Sequence, residues 1–223
     1  GLPEIIAGHT VLTGVDGSVK WDFARPNSGR VIVGDLDLDG GLEVLAGGGG
    51  AYRFDGSAYP FPLGNVDTFQ PGALANLDAD PEAEILTTSG FTFLKAWNHD
   101  GTVLWQAPPP PGARSGPAPV AVGDFDGDGG PEIAVPNVDQ LHLFDADGSL
   151  IWSRPIDDRT GSSGISGFDF DEDGAPELVY RDHELLQIFD GATGQTLWST
   201  AVISGTAFEH PVVADLDADG HAE

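Results

Sequence analysis

Apolar residues along this chain come in short runs, and the runs fall into two sets. One set lies at 31–34, 73–75, 120–123, 165–168 and 211–214, each just before an acidic segment. The other lies at 5–7, 44–46, 85–87, 133–135 and 178–180, each just after one. β-Branched residues are frequent in both, helical caps are absent from their flanks, and the length of each run suits a strand. Beyond the second run, an aromatic residue precedes a turn and a further apolar segment, as in LHLFDADGSLIW (141–152), LKAWNHDGTVLW (94–105) and LQIFDGATGQTLW (186–198). Asp100-Gly101, Asp147-Gly148 and Thr193-Gly194 are hairpin signals within these segments. The pattern predicts units of four short strands: first strand, acidic loop, second strand, longer loop, third strand, hairpin, fourth strand.

The acidic segments align on one nine-residue motif, D-x-D-x-D-G-x-x-E. Its copies are DLDLDGGLE (35–43), NLDADPEAE (76–84), DFDGDGGPE (124–132), DFDEDGAPE (169–177) and DLDADGHAE (215–223). The first position recurs after 41, 48, 45 and 46 residues, and GLPE at 1–4 matches the end of a sixth copy. Four antiparallel strands at a period of roughly 45 residues predict an all-β fold, a β-propeller of four-stranded antiparallel blades in five repeats. Successive blades would bury faces that one small sheet cannot bury alone. Residues 1–223 read as one propeller domain or segment, with repeats ending near Glu43, Glu84, Glu132, Glu177 and Glu223. Two arrangements fit: a segment of a larger ring, or a five-bladed ring closed by residues 211–214 pairing with 5–7. Trp21, Trp105, Trp152 and Trp198 end the fourth strand in four repeats, where packing between blades is the expected role. The second repeat carries Tyr59-Pro60-Phe61-Pro62 at that place, which predicts an irregular outer strand.

Alternating carboxylates at motif positions 1, 3 and 5 put three charges on the inside of a tight turn, and glycine at position 6 lets the backbone reverse. These positions are Asp35, Asp37 and Asp39; Asn76, Asp78 and Asp80; Asp124, Asp126 and Asp128; Asp169, Asp171 and Asp173; Asp215, Asp217 and Asp219. The carbonyl of position 7 (Gly41, Glu82, Gly130, Ala175, His221) and the carboxylate of position 9 (Glu43, Glu84, Glu132, Glu177, Glu223) can complete an oxygen cage. Hard oxygen ligands on a flexible loop favour several structural Ca²⁺ ions over Zn²⁺ or copper, and Mg²⁺ demands a more compact octahedron. An EF-hand would need Glu at position 12, where Ala46, Thr87, Val135 and Tyr180 stand instead. One such turn would be ordinary, since Asp and Gly are turn residues; five in phase point to metal. The second copy has Asn76 for Asp and Pro81 for Gly, which predicts weaker binding unless the Glu82 side chain reaches the ion.

Charge strengthens this picture. Nine Lys and Arg face 36 Asp and Glu, a formal net charge of -27, which disfavours nucleic acid and anionic membranes and attracts cations. The motif copies with Glu4 hold 22 of the acids, leaving 14 against nine bases, an ordinary balance. The excess is therefore local to the loops rather than spread over a halophilic surface. With 40% hydrophobic residues the chain should fold, and 32 glycines and 17 prolines suit many strands and turns. No apolar run approaches the roughly 20 residues that span a bilayer, so no membrane insertion is expected. The chain opens inside a motif copy without a signal peptide, which predicts a natural start further upstream. The absence of cysteine excludes disulfides and thiolate metal sites.

These residues resemble the FG-GAP or VCBS repeat family, the calcium-loop propellers that include integrin α-subunit heads. VGDFDGDGGPEIAV (122–135) is the most specific stretch. The resemblance implies that each loop joins the first two strands of a blade and holds one Ca²⁺, with Asp35, Asp37, Asp39, Glu43 and their counterparts as ligands. The family more often has Asp at position 9, where this chain has Glu. Segments such as IFDGATGQTLW (188–198) are also similar to quinoprotein-type propeller repeats. Family propellers usually have seven or eight blades.

The function expected is that of a secreted or cell-surface binding module, adhesive to a protein or glycan, in which Ca²⁺ is structural. The alternatives are a polysaccharide-lyase-like propeller enzyme and a quinone-dependent dehydrogenase-like one. The six histidines are scattered, and neither HExxH nor GxSxG occurs, so no catalytic residue is singled out. In an antiparallel blade the acidic loops and hairpins emerge on one face, and the longer, more varied loops on the other. Arg25, Arg114, Arg154, Arg159 and Arg181 fall in those longer loops, with Arg30 at their edge. The ligand is accordingly expected on the face opposite the calcium loops.

Overall fold

The computed structural model describes residues 3–7, 10–22, 31–46, 50–61, 70–88, 94–108, 119–203, 209–217 and 222. Every regular element among them is a strand, and the strands form five antiparallel sheets in chain order. The first sheet is β1 (Glu4–Ala7), β2 (Thr10–Thr13) and β3 (Val19–Asp22). The second is β4 (Val31–Gly34), β5 (Glu43–Ala46) and β6 (Gly50–Arg53). Three complete four-stranded sheets follow: β7 (Gln70–Ala75) to β10 (Val103–Ala107), with β8 (Glu84–Thr88) and β9 (Leu94–Trp97) between; β11 (Ala121–Gly123), β12 (Glu132–Pro136), β13 (Gln140–Phe144) and β14 (Leu150–Pro155); and β15 (Ile165–Phe168), β16 (Glu177–Arg181), β17 (Leu185–Phe189) and β18 (Thr196–Ala201). This is a β-propeller. The first strands β4, β7, β11 and β15 approach one another in that order, as innermost strands around a common axis do. Their closeness needs glycine: a Cβ on Gly34 would lie 2.3 Å from Leu74, and one on Gly72 2.5 Å from Val120.

The second strands are the most deeply covered. Every residue of β5, β8 and β12 is buried, because neighbouring sheets lie on both of their faces. The cores accordingly sit between blades rather than within them. Leu86, Leu94 and Ala96 pack with Ile133, Val135 and Phe144. Leu36, Leu45, Tyr59 and Phe61 pack with Ile85 and Trp97. Phe125, Leu141, Leu143 and Trp152 pack with Leu178, Tyr180 and Phe189, and Val11 packs with Val44, Ala46 and Tyr52.

Among the described residues the second sheet has three strands, and its outer segment is irregular, as its Pro-interrupted sequence predicts. Beyond β6 the chain makes a single bridge, Tyr52 to Ala58, and then buries Tyr59 and Phe61 in the interface where tryptophan stands elsewhere. The interblade role holds for three tryptophans. Trp21 Nε1 donates to Phe54 O at 3.1 Å, Trp105 Nε1 to Ala146 O at 2.8 Å and Trp152 Nε1 to Gly191 O at 2.8 Å, each in the next sheet. Trp198 is 48% exposed.

The ring closure by residues 211–214 against 5–7 does not occur. Residues 211–214 form no ladder, and β1 lies at the edge of its sheet. The segment instead runs beside β15, where Gly164 N donates to Glu209 O at 2.9 Å and Ser166 Oγ to Pro211 O. The structure thus shows the open arrangement. No helix of the described residues is long and apolar enough to cross a membrane.

Candidate metal centre

Four of the five acidic loops are described, and each of these joins the first and second strands of its sheet, as predicted. The same backbone scheme builds them. The Glu at position 9 begins the second strand, is buried, and turns one oxygen back into the loop. There Oε2 accepts the N–H of position 2: Leu36 to Glu43 at 2.9 Å, Leu77 to Glu84 at 2.6 Å, Phe125 to Glu132 at 2.6 Å and Phe170 to Glu177 at 2.7 Å. In the first, third and fourth loops the first Asp accepts the N–H of position 6, at 3.0 Å for Asp35, 3.2 Å for Asp124 and 3.0 Å for Asp169. The fifth position accepts the N–H of position 7, at 2.7 Å for Asp39, 2.7 Å for Asp128 and 2.9 Å for Asp173.

Curling the chain around these carboxylates takes two left-handed residues per loop. Position 6 has φ of 86° at Gly40, 93° at Gly129 and 96° at Gly174, which is the reversal that glycine supplies. Position 4 is left-handed as well, at Leu38 (55°), Gly127 (74°) and Glu172 (62°). Two of these three lack the freedom of glycine, so the loop holds its shape against a local cost.

The second loop differs. Pro81 has no N–H to give Asn76, and the Asn76 side chain instead donates to Asp80 O at 2.7 Å. Asp80 Oδ1 still receives Glu82 N at 3.2 Å.

In every described loop, three acidic side chains bring one oxygen each within 4.8 Å of one another: Asp35, Asp37 and Asp39; Asp78, Asp80 and Glu84; Asp124, Asp126 and Glu132; Asp169, Asp171 and Glu177. Glu43, Asp128 and Asp173, also expected as ligands, lie outside these triads. Of the fifth loop, Asp215 and Asp217 are described, whereas Asp219, His221 and Glu223 lie outside the described residues.

Electrostatics favour a cation. Burial pushes the carboxyl groups of Glu43, Glu84, Glu132 and Glu177 above the usual range, and the neighbouring loop aspartates add to the rise. Asp35 Oδ1, Asp37 Oδ1, Asp124 Oδ1 and Glu84 Oε1 are buried and accept no hydrogen bond. An unpaired buried carboxylate oxygen is costly, and a hard dication is the partner that such an oxygen set fits. These acidic groups are positioned to bind metal ions.

The arginines divide. Arg154 lies within β14, not in the following loop, and it clamps the next sheet's hairpin by donating to Gly194 O at 2.8 Å and to Thr193 O. Arg181 pairs with Glu209 at 3.3 Å and donates to Ile203 O at 3.0 Å. Arg159 remains largely in solvent, 3.6 Å from Asp157. Arg25, Arg30 and Arg114 lie outside the described residues. His99 is one of the six histidines scattered along the sequence. The structure brings it to Asp80 and Glu82, within the same 4.8 Å limit.

No protein-family model and no curated protein matches the chain. Among solved structures it is similar to the Vibrio cholerae biofilm matrix protein Bap1, with a TM-score of 0.85 at 18% identity, covering 98% of this chain and 62% of that one. It is also similar to BamB from Moraxella catarrhalis, with a TM-score of 0.57 at 14% identity, covering 94% of this chain and 66% of that one. A third is the quinohemoprotein alcohol dehydrogenase ADHIIG from Pseudomonas putida HK5, with a TM-score of 0.57 at 13% identity and coverages of 90% and 42%. The chain thus spans under two thirds of each of these proteins. What it shares with them is the β-propeller fold.

Proposed function

We propose that the chain is a calcium-stabilised binding module of an extracellular protein, with structural Ca²⁺ in its D-x-D-x-D-G-x-x-E loops, as in the FG-GAP and VCBS repeats that they resemble. The observation that carries this reading is the set of buried carboxylate oxygens left without hydrogen-bond partners at Asp35, Asp37 and Asp124. Calcium bound there supplies the missing positive charge and ties the first strand of a blade to the second. Asp35, Asp37, Asp39 and Glu43, and their counterparts in the other loops, are the residues that would hold it. Millimolar extracellular calcium suits loops of this kind, and the likeness to the biofilm matrix protein Bap1 supports a place outside the cell.

The partner, a protein or glycan bearing carboxylates, docks on the face opposite the calcium loops. Arg159 is the described arginine that leans into solvent on that side, and Arg25 and Arg114 belong to the same group of loops. Arg154 and Arg181 serve the fold instead.

Thermal unfolding in chelator and in millimolar Ca²⁺ tests the calcium reading. A ligand bound only by the folded state adds about 2.7 kcal/mol per site at a hundredfold excess over Kd. An upward shift of many degrees is expected, and an unchanged Tm would overturn the reading. For the partner, an array of acidic glycans and proteins is probed with the wild type and with a combined Arg25→Ala, Arg114→Ala, Arg159→Ala variant. Binding that survives these changes would move the partner to another face.

A further inference from the structure

The second loop departs from its siblings in ways that belong together. It alone carries a carboxylate at motif position 7, Glu82, where the others have Gly41, Gly130, Ala175 and His221. The hairpin between β9 and β10 places His99 beside it. In the preceding sheet the corresponding contact is hydrophobic: Phe54 is the matching hairpin residue, and a Cβ on Gly41 would meet its ring at 3.3 Å. Phe54, Ala146 and Gly191 occupy this hairpin position elsewhere, and each gives its carbonyl to a tryptophan of the preceding sheet. The preceding sheet has no such tryptophan for the blade of His99, so the matching position there is freed from that duty.

One oxygen each of Asp80 and Glu82 and one ring nitrogen of His99 lie within 4.8 Å of one another, and Asp80 also belongs to the cluster with Asp78 and Glu84. Two further observations point to a missing ligand. Glu84 is fully buried, its Oε2 is taken by Leu77 N–H, and its Oε1 has no partner. His99 Nδ1 is also buried without a hydrogen-bond partner. An imidazole nitrogen from the hairpin brought to two loop carboxylates, with an orphaned buried Glu84 oxygen in the adjoining cluster, is not explained by turn geometry.

We propose that Asp80, Glu82 and His99 form a mixed nitrogen–oxygen site that takes a transition-metal dication of the zinc class in preference to calcium. Calcium takes six to eight oxygens and gains little from imidazole, whereas Zn²⁺ and Co²⁺ bind one His with two carboxylates in four-coordinate geometry. Asn76 fits the change, because it removes a charge from the all-oxygen cage and turns its amide to the Asp80 carbonyl. What reads in sequence as a degenerate calcium loop thus carries a mixed site at Asp80, Glu82 and His99 beside its cluster of Asp78, Asp80 and Glu84.

The test uses untagged protein held in millimolar Ca²⁺, so that the other loops are filled, and titrates Co²⁺ and Zn²⁺ by calorimetry and by the visible absorbance of Co²⁺. One equivalent is expected to bind despite the calcium, with His99→Ala and Glu82→Gln each weakening it at least about tenfold. The calcium-induced rise in Tm serves as the control for folding and is expected to persist in both variants. Absence of that equivalent, its displacement by millimolar Ca²⁺, or its survival unchanged in His99→Ala would overturn the proposal. A wild type without any calcium-induced rise would count against the proposed function and leave a His99-dependent Co²⁺ site standing.

Discussion

The indole of Trp105 fills the space that a side chain on Gly148 would need: a Cβ there would come within 2.8 Å of the ring, and Gly148 has a φ of 82°. Trp152 stands in the same relation to Gly194, and Trp21 to Gly56, at 2.7 and 2.9 Å. One glycine therefore meets two demands, the left-handed turn of its own hairpin and the ring of the preceding blade. This contact links neighbouring blades on their outer side, while the first strands link them on the inner side.

Tryptophans at one sequence position should then differ sharply in energetic weight. Trp152 is 7% exposed and donates to Gly191 O, whereas Trp198 is 48% exposed. Trp152→Ala should cost about 3–5 kcal/mol, and Trp198→Ala about 1 kcal/mol or less. Urea unfolding of the two variants in calcium measures this. Equal losses would mean that the next-blade contact is not what gives Trp152 its weight.

The loops should rank by their ligand sets. Asp126 shares a triad with Asp124 and Glu132 in a loop where the whole backbone scheme is present. Asp78 sits in the loop altered by Asn76 and Pro81. Asp126→Ala should therefore remove most of one site's calcium stabilisation, about 2–3 kcal/mol at saturating calcium, and Asp78→Ala clearly less. The measurement is the calcium-dependent part of the unfolding free energy for each variant. A larger loss for Asp78→Ala would reverse the ranking.

Stability should also respond to pH through a residue remote from the acidic loops. His142 is buried in β13. Asn137 is held by accepting from Asp139 N and Gln140 N, so its amide donates to Nε2 of His142 at 2.9 Å. The ring proton then sits on Nδ1, 2.7 Å from Ser153 Oγ. Burial depresses the His142 pKa from 6.5 to about 4. The unfolded chain therefore takes up a proton that the folded chain refuses, and stability present above pH 6.5 is lost as pH falls toward 4, by about 3 kcal/mol in total. His142→Gln should flatten this part of the pH profile in chelator. A wild-type slope retained in the variant would assign the loss to other groups.

Much of the fold was legible because it repeats. The period, the four-strand pattern and the irregular outer segment at residues 59–61 all followed from apolar runs and turn residues. The acidic clusters were legible for the same reason, since glycine at position 6 marks the left-handed turn around which the carboxylates gather. The left-handed conformations of Leu38 and Glu172 were not, because neither residue announces one; the surrounding hydrogen bonds impose it. Arg154 was misplaced because a strand boundary shifted by two residues turns a loop arginine into an interblade clamp. His99 was missed because the repeat pattern hides it: its partners Asp80 and Glu82 lie two strands earlier, and only the folded sheet brings hairpin and loop together.

The Glu at position 9 should reveal itself by opposite effects with and without calcium. Glu132 is 1% exposed, and its Oε2 accepts from Phe125 N at 2.6 Å and Asp126 N at 3.1 Å. Burial raises its pKa, and Asp126 and Asp128 raise it further. Ionisation of Glu132 is thus less favourable in the folded protein without metal than in the unfolded chain, and stability declines as pH rises through its folded pKa. Glutamine keeps the shape and retains a carbonyl oxygen to accept the Phe125 N–H, but it removes the charge. In chelator at neutral pH, Glu132→Gln should therefore match or exceed the wild type in Tm. In millimolar Ca²⁺ the order should reverse, because the variant lacks a charged ligand that the ion needs. Melting curves of both proteins in both conditions are sufficient. If Glu132→Gln is destabilised equally in chelator and in calcium, Glu132 acts only as a cap for the loop backbone, and the ion is held by the aspartates alone.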